Sequence, residues 1–164
     1  MKKIITLLAV IGIFSLQGCT TPTNTVNNST ISTVYETNLV SFLPTGYAIR
    51  YTFPGAIYSS DMVLVYRLTG TSNGNDLWEF LPETHYFADG TRNFSYNFDF
   101  TRNDVQIYLE GNNLSTLDAA YRLNQIFRIV VVPGSFAATL NTKDYVGVMA
   151  ALKLNENQVQ KINF

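Results

Sequence analysis

Apolar and polar residues alternate with a period of two along much of the chain, the signature of strands with one buried and one solvated face. Tyr47, Ile49, Tyr51 and Phe53 fall on one side of such a strand, with Ala48, Arg50 and Thr52 on the other. Tyr96, Phe98 and Phe100 likewise oppose Asn97 and Asp99, and Val105, Ile107 and Leu109 oppose Gln106, Tyr108 and Glu110. Residues 62–68 and 126–132 are apolar at nearly every position, so they are expected to be central strands covered on both faces. Residues 34–42 and 77–81 are further strand candidates. Turn signals separate these runs at Pro44-Thr45-Gly46, Pro54-Gly55, residues 70–75, Asp89-Gly90, Gly111-Asn112-Asn113 and Pro133-Gly134. About seven short strands spaced in this way predict a mostly β protein, an antiparallel β-sandwich of immunoglobulin-like or jelly-roll-like type.

From Thr142 the period changes. Tyr145, Val148, Met149 and Leu152 recur at helical spacing, with Asp144 near the start and Lys153 near the end, where their charges suit the helix dipole. Gly147 inside this stretch costs about 1 kcal/mol against Ala, so one short C-terminal helix is expected to be stabilised by packing on a sheet. Val159, Ile162 and Phe164 then predict a last extended segment that docks on the domain.

The N-terminus carries an address. Lys2 and Lys3 precede an apolar run over residues 4–14, broken only by Thr6 and Gly12, and Ser15-Leu16-Gln17-Gly18-Cys19 follows. A run of about 11 residues is half the roughly 20 that a spanning helix needs, so a signal peptide over residues 1–18 is expected rather than a permanent transmembrane anchor. Leu16-Gln17-Gly18-Cys19 resembles a bacterial lipobox, departing from its usual Ala or Ser at Gln17. That resemblance implies cleavage after Gly18, a diacylglyceryl thioether on Cys19 and an acyl group on the new amine. Two or more acyl chains anchor stably where one does not. Cleavage would leave 146 residues with a net charge of -3, since Lys2 and Lys3 leave with the signal. Such a polypeptide has no electrostatic reason to lie on an anionic membrane, and the lipid must hold it.

Residues 19–32 are the lipidated cysteine and an uncharged tether rich in Thr, Asn and Ser, which would span roughly 20 Å as a coil. Residues 33–164 make one domain. By analogy with envelope lipoproteins, Thr20 in place of Asp favours the outer membrane, and the lack of an acidic cluster after Cys19 favours its periplasmic face over the cell surface.

Composition narrows the chemistry. Of 164 residues, 46% are hydrophobic and 14% charged, too apolar for a disordered chain, and the net charge of -1 gives no footprint for nucleic acid. One Cys and one His leave no cysteine zinc site and few routes to any metal. No cofactor, metal site or catalytic residue is expected. His85, the only histidine, is the sole candidate for a histidine general base, and with no nucleophile-elbow spacing present a structural or surface role is favoured. Asp99 and Asp104 bracket a turn and could face each other as a glycosidase pair would, but capping is the better reading of Asp104. Gly70-Thr71-Ser72-Asn73-Gly74-Asn75-Asp76 is oxygen-rich, yet Asp76 is its only carboxylate, so a hairpin loop is favoured over a calcium site. Leu81-Pro82-Glu83-Thr84 opens like a sortase signal, but His85 stands where that signal requires Gly; Pro82 is expected to end a strand. Arg128, inside an apolar strand, requires a partner such as Asp99, Glu110 or another acid on a neighbouring strand.

The aromatic residues, 13% of the chain, are the remaining candidates for recognition. Tyr47, Tyr58, Tyr66, Trp78, Tyr86 and Tyr108 could offer faces to sugar rings, with Tyr108, Trp78 and Tyr86 the chosen positions and Tyr108 the first of them, because it lies on the polar side of its strand. Aromatics are also common on sheets for packing alone.

The succession Leu81-Pro82-Glu83-Thr84, Asp89-Gly90, Tyr96-Asn97-Phe98-Asp99-Phe100-Thr101, Asp104-Val105-Gln106-Ile107-Tyr108 and Gln125-Ile126-Phe127-Arg128-Ile129-Val130-Val131-Val132-Pro133-Gly134 resembles small uncharacterised lipoproteins of Bacteroidetes, flavobacterial ones especially. The likeness runs from about Ser60 to the C-terminus, including Asp144-Tyr145, and it implies location and fold, with no activity attached. The expectation is a lipid-anchored, non-catalytic envelope protein whose sandwich is structural or contacts another envelope protein. A carbohydrate-binding module is the alternative.

Overall fold

The computed structural model describes residues 32–163. Cys19, Gly18, most of the tether and Phe164 lie outside the described residues. Among those described, the strands are β1 (Thr33–Thr37), β2 (Ala48–Thr52), β3 (Met62–Ser72), β4 (Asn75–Phe80), β5 (Glu83–Tyr86), β6 (Arg92–Phe100), β7 (Asp104–Gly111), β8 (Phe127–Val132) and β9 (Val159–Ile162). The helices α1 (Ala119–Arg122), α2 (Gly134–Ala137) and α3 (Tyr145–Ala151) are short.

Two sheets stack as a β-sandwich, one of order β4-β3-β8-β1-β9 and one of order β2-β7-β6-β5. Alternation decides what lies between them. Val63, Val65, Phe127, Ile129 and Val131 point from the larger sheet toward Phe94, Tyr96, Val105, Ile107 and Leu109 of the smaller one. The intervening residues Val34, Leu64, Tyr66, Val130 and Val132 point the other way and are covered by Tyr145, Val148, Met149 and Leu152 of the C-terminal helical segment. This third layer is why β3 and β8 are apolar on both faces. Truncating a buried aliphatic side chain in either layer would cost about 2–5 kcal/mol.

The helix forms where its spacing places it, and Gly147 has a local reason. The Asp144 side chain accepts from the Gly147 N–H at 3.0 Å, capping α3. A Cβ on Gly147 would stand 2.5 Å from Asp144 Oδ2, so the cap and a larger residue compete for one space.

One expectation is corrected. Residues 70–75 do not form a loop: β3 and β4 continue through them, Ser72 pairs with Asn75, and only Asn73 and Gly74 turn the chain. Both have positive φ, +51° and +79°, which is the two-residue hairpin turn that Asn-Gly favours. The antiparallel sandwich expected from the sequence is present, and among the described residues its one parallel pair is the docked segment β9 beside β1 (Val34 with Val159, Thr37 with Ile162). Arg128 pairs, as expected, with an acid on a neighbouring strand, though with neither Asp99 nor Glu110. Its partners are Glu36, directly opposite it on β1, and Glu156 from the segment after α3. Asp99 and Glu110 belong to the other sheet, which packs against the opposite face of β8.

The sandwich has two distinguishable ends. The chain enters at one, where Thr33 pairs with Val131 and Tyr35 packs its ring 5.1 Å from Tyr51. It runs to the other, where Val40 bridges Gln125 near the start of β8. β7 runs the same way, from Asp104 opposite Thr52 to Gly111 opposite Phe94, and so finishes at the far end.

Candidate functional site

The far end is held together by a buried arginine. Arg67 donates from Nε and Nη2 to the two oxygens of Glu83 at 2.7 and 2.6 Å, and from Nη1 to Gln125 Oε1 at 3.1 Å. Its guanidinium lies 4.6 Å from the centre of the Tyr96 ring. Burial alone would lower the Arg67 pKa, but the Glu83 hydrogen bonds outweigh it and hold the charge. Gln125 spends its amide N–H groups on the carbonyls of Ala120 (2.8 Å) and Leu123 (2.7 Å), and the Tyr96 hydroxyl donates to the Tyr121 carbonyl at 2.6 Å. The loop carrying Asp118 and Tyr121 is therefore pinned to the sheet by backbone bonds from buried side chains.

His85 belongs to this structure. Its ring stacks 4.4 Å from Phe94 and tilts against Tyr121 at 5.2 Å. Nε2 lies 2.7 Å from Glu83 Oε1 without the alignment of a hydrogen bond. Glu83 is already committed to Arg67, so the pair lacks the free carboxylate that an orienting acid would need.

On this pinned end lies a groove. Phe87 and Tyr121 are its aromatic walls, and Asn93, Asn112, Thr116 and Asp118 supply most of the polar ones. It is open to solvent and small, with a cavity volume of about 190 Å³, below the roughly 300–1,000 Å³ of drug-sized clefts. Phe87 is positioned by a tight turn in which its N–H donates to the Thr91 carbonyl at 2.8 Å and Asp89 accepts from the Thr91 N–H at 2.9 Å. Beneath the groove Gly111 is required by space, since a Cβ there would stand 2.8 Å from the Asn93 carbonyl oxygen. A smaller depression shares Asn93 and Asn112 with the groove and is flanked by Arg92 and Glu110, paired at 3.1 Å.

The three aromatic positions singled out from sequence do not form one platform. Tyr108 is half-buried on the outer face of the smaller sheet, between Ala48 and Asn97. Trp78 belongs to the opposite side of the molecule, where its ring lies 4.2 Å from the Arg128 guanidinium and 5.6 Å from Tyr145, so it packs the helix layer. Tyr86, 64% exposed on the edge strand β5, is the one that reaches the far end. Alternation correctly set the sheet face of Tyr108, but it carries no information about which faces adjoin. The groove residues Phe87, Asn93, Asn112 and Tyr121 were missed; the available signal was the Asn-rich composition of the turns that meet there.

Other candidate groups are occupied. Asp104 accepts from Arg50 at 2.9 Å and from the Thr101 hydroxyl at 2.6 Å; the Thr101 bond, with Arg50 behind it, holds its carboxyl below the usual range. Asp76 is at the two-residue hairpin, and among the described residues no group of three or more His, Cys, Asp or Glu could hold a metal ion. Among the same residues no helix is long and apolar enough to cross a membrane. Compared with known protein families, characterised proteins and solved structures, the chain matches none of them.

Proposed function

We propose that this chain is a lipid-anchored protein of the bacterial outer membrane, on its periplasmic face, whose β-sandwich is a non-catalytic binding module. The observation that carries the reading is Leu16-Gln17-Gly18-Cys19 directly after a short apolar run, followed by an uncharged tether that leads into β1. The membrane is the first partner, through diacylglycerol and an N-acyl chain on Cys19. A non-catalytic role is supported by the pairing of Glu36, Glu83, Glu156 and Asp104, each with an arginine of the same domain. A structural or protein-contacting module is one form of this reading. The aromatic and amide groove at the far end favours a second form, in which the ligand is a glycan.

Location is tested by fractionating cells that express the wild-type chain or Cys19→Ala, with mass spectrometry of the mature N-terminus. The expected result is a wild-type protein in the outer membrane beginning at an acylated Cys19, and a variant released from it. An unmodified thiol, or a variant that remains membrane-bound, overturns the anchor.

A further inference from the structure

We infer that the far-end groove is a binding site for a neutral saccharide. The inference rests on the binding-module reading and supplies the place and the ligand class.

The lining matches what a pyranose presents. A sugar ring has apolar C–H faces and an equatorial belt of hydroxyls, each both donor and acceptor. Phe87 and Tyr121, 53% and 37% exposed, give apolar aromatic surface at the groove walls. Asn93 and Asn112 give side-chain amides, which also combine donor and acceptor in one group. Among the described residues neither amide has a protein hydrogen-bond partner, in contrast with Asn113, whose Oδ1 accepts from Ser115 at 2.6 Å.

Charge selects the class of sugar. Arg92 is neutralised by Glu110, and Asp118 caps α1 by accepting from the Ala120 N–H at 2.8 Å. One negative charge is left at the groove, so an acidic sugar would be repelled while a neutral one would not.

Preorganisation and placement agree. Tyr121 is fixed by ring contacts with Phe94 (5.0 Å) and His85 (5.2 Å) and by its own carbonyl, so a ligand need not order it. The groove is also at the end of the sandwich opposite the entry of β1.

The test uses the full, detergent-solubilised lipoprotein on an array holding neutral hexose oligosaccharides, N-acetylated amino-sugar chains of cell-wall type and uronic-acid polymers, with titration calorimetry on any hit. The first two arms separate the two sources of a neutral ring. Saturable binding in at least one of them is expected, weakened about tenfold by Tyr121→Ala and by Asn112→Ala, with uronic-acid polymers bound no better. Asn112 is an exposed loop residue, so that variant tests the site even where Tyr121→Ala unfolds the loop. Tyr108→Ala should leave binding unchanged. Silence on every neutral glycan, preference for the acidic polymers, or binding that survives both groove variants overturns the assignment. If the array is silent but the protein retains a partner through another face, the saccharide fails and the binding module stands. If Cys19→Ala stays membrane-bound while neutral sugar still binds, the anchor fails and the groove stands.

Discussion

Arg67 and Arg128 occupy adjoining strands one position out of register and point to opposite faces of the same sheet, where Arg67 pairs across with Phe127 and Tyr66 with Arg128. Each meets a carboxylate with two parallel hydrogen bonds, Glu83 for Arg67 and Glu156 for Arg128, and each lies against an aromatic ring. Arg128 adds Glu36, at 2.8 Å, and the Tyr145 hydroxyl. Burial alone would lower the Arg128 pKa, but Glu156 and Glu36 together hold it above the ordinary arginine value. The two arginines thus stitch this sheet to the layers on either side of it: Arg67 to the smaller sheet, Arg128 to α3 and the segment that follows.

Removing the Arg128 charge should therefore be costly. Arg128→Met leaves Glu36 buried with only Lys161, and a loss of about 3–5 kcal/mol is expected from urea unfolding. Glu156→Gln should cost under about 1 kcal/mol, because the Glu156 side chain is 67% exposed. Equal losses for the two variants would refute this division.

Acid should weaken the same cluster. Burial raises the Glu36 carboxyl, but hydrogen bonds from Lys161 and Arg128 override it and hold it below its ordinary 4.5. A depressed carboxylate contributes stability that is present above the unfolded value and lost as pH falls through the folded one. Wild type should accordingly lose its advantage over Glu36→Gln below about pH 4.5, measured as denaturation midpoints across an acid series. A gap that stays constant with pH would count against this.

Alkali acts through Tyr145. Burial pushes its hydroxyl up to about 12, although Arg128 pulls in the opposite direction. With the folded value above the ordinary 10.0, the contribution is complete below pH 10 and declines as pH rises toward 12. Tyr145→Phe should lose stability less steeply over that interval, with tyrosinate absorbance as the readout; identical slopes would exclude the effect.

Gly147 offers a coupled test. Gly→Ala inside a helix ordinarily gains about 1 kcal/mol, but here the methyl would displace the Asp144 cap, itself worth about 0.5–2 kcal/mol. Gly147→Ala should be neutral or destabilising in the wild type and stabilising in an Asp144→Ala background. The sign reversal can be read from thermal melts of the four proteins, and a gain of equal size in both backgrounds would rule out the clash.

What the sequence determined by itself is what periodicity encodes. Alternation assigns inward and outward residues in β2, β7 and most of β6, where Phe100 at the strand's end is exposed; unbroken apolar runs mark β3 and β8 as central, and the spacing of Tyr145, Val148 and Met149 makes the helix face. These properties are local, since each depends on neighbours within a turn or a pleat. The hairpin at residues 70–76 was legible as well, although its oxygen-rich positions read as loop until pairing fixed all but Asn73 and Gly74 as strand. Tertiary structure alone decided the rest. Arg128 reaches Glu36 across 92 residues and Glu156 across 28, and no spacing rule selects those carboxylates over Asp99 or Glu110. The groove likewise exists only because two segments, residues 87–93 and 112–121, meet at one end of the sandwich, and folding alone brings Phe87 to Asn112 and Tyr121.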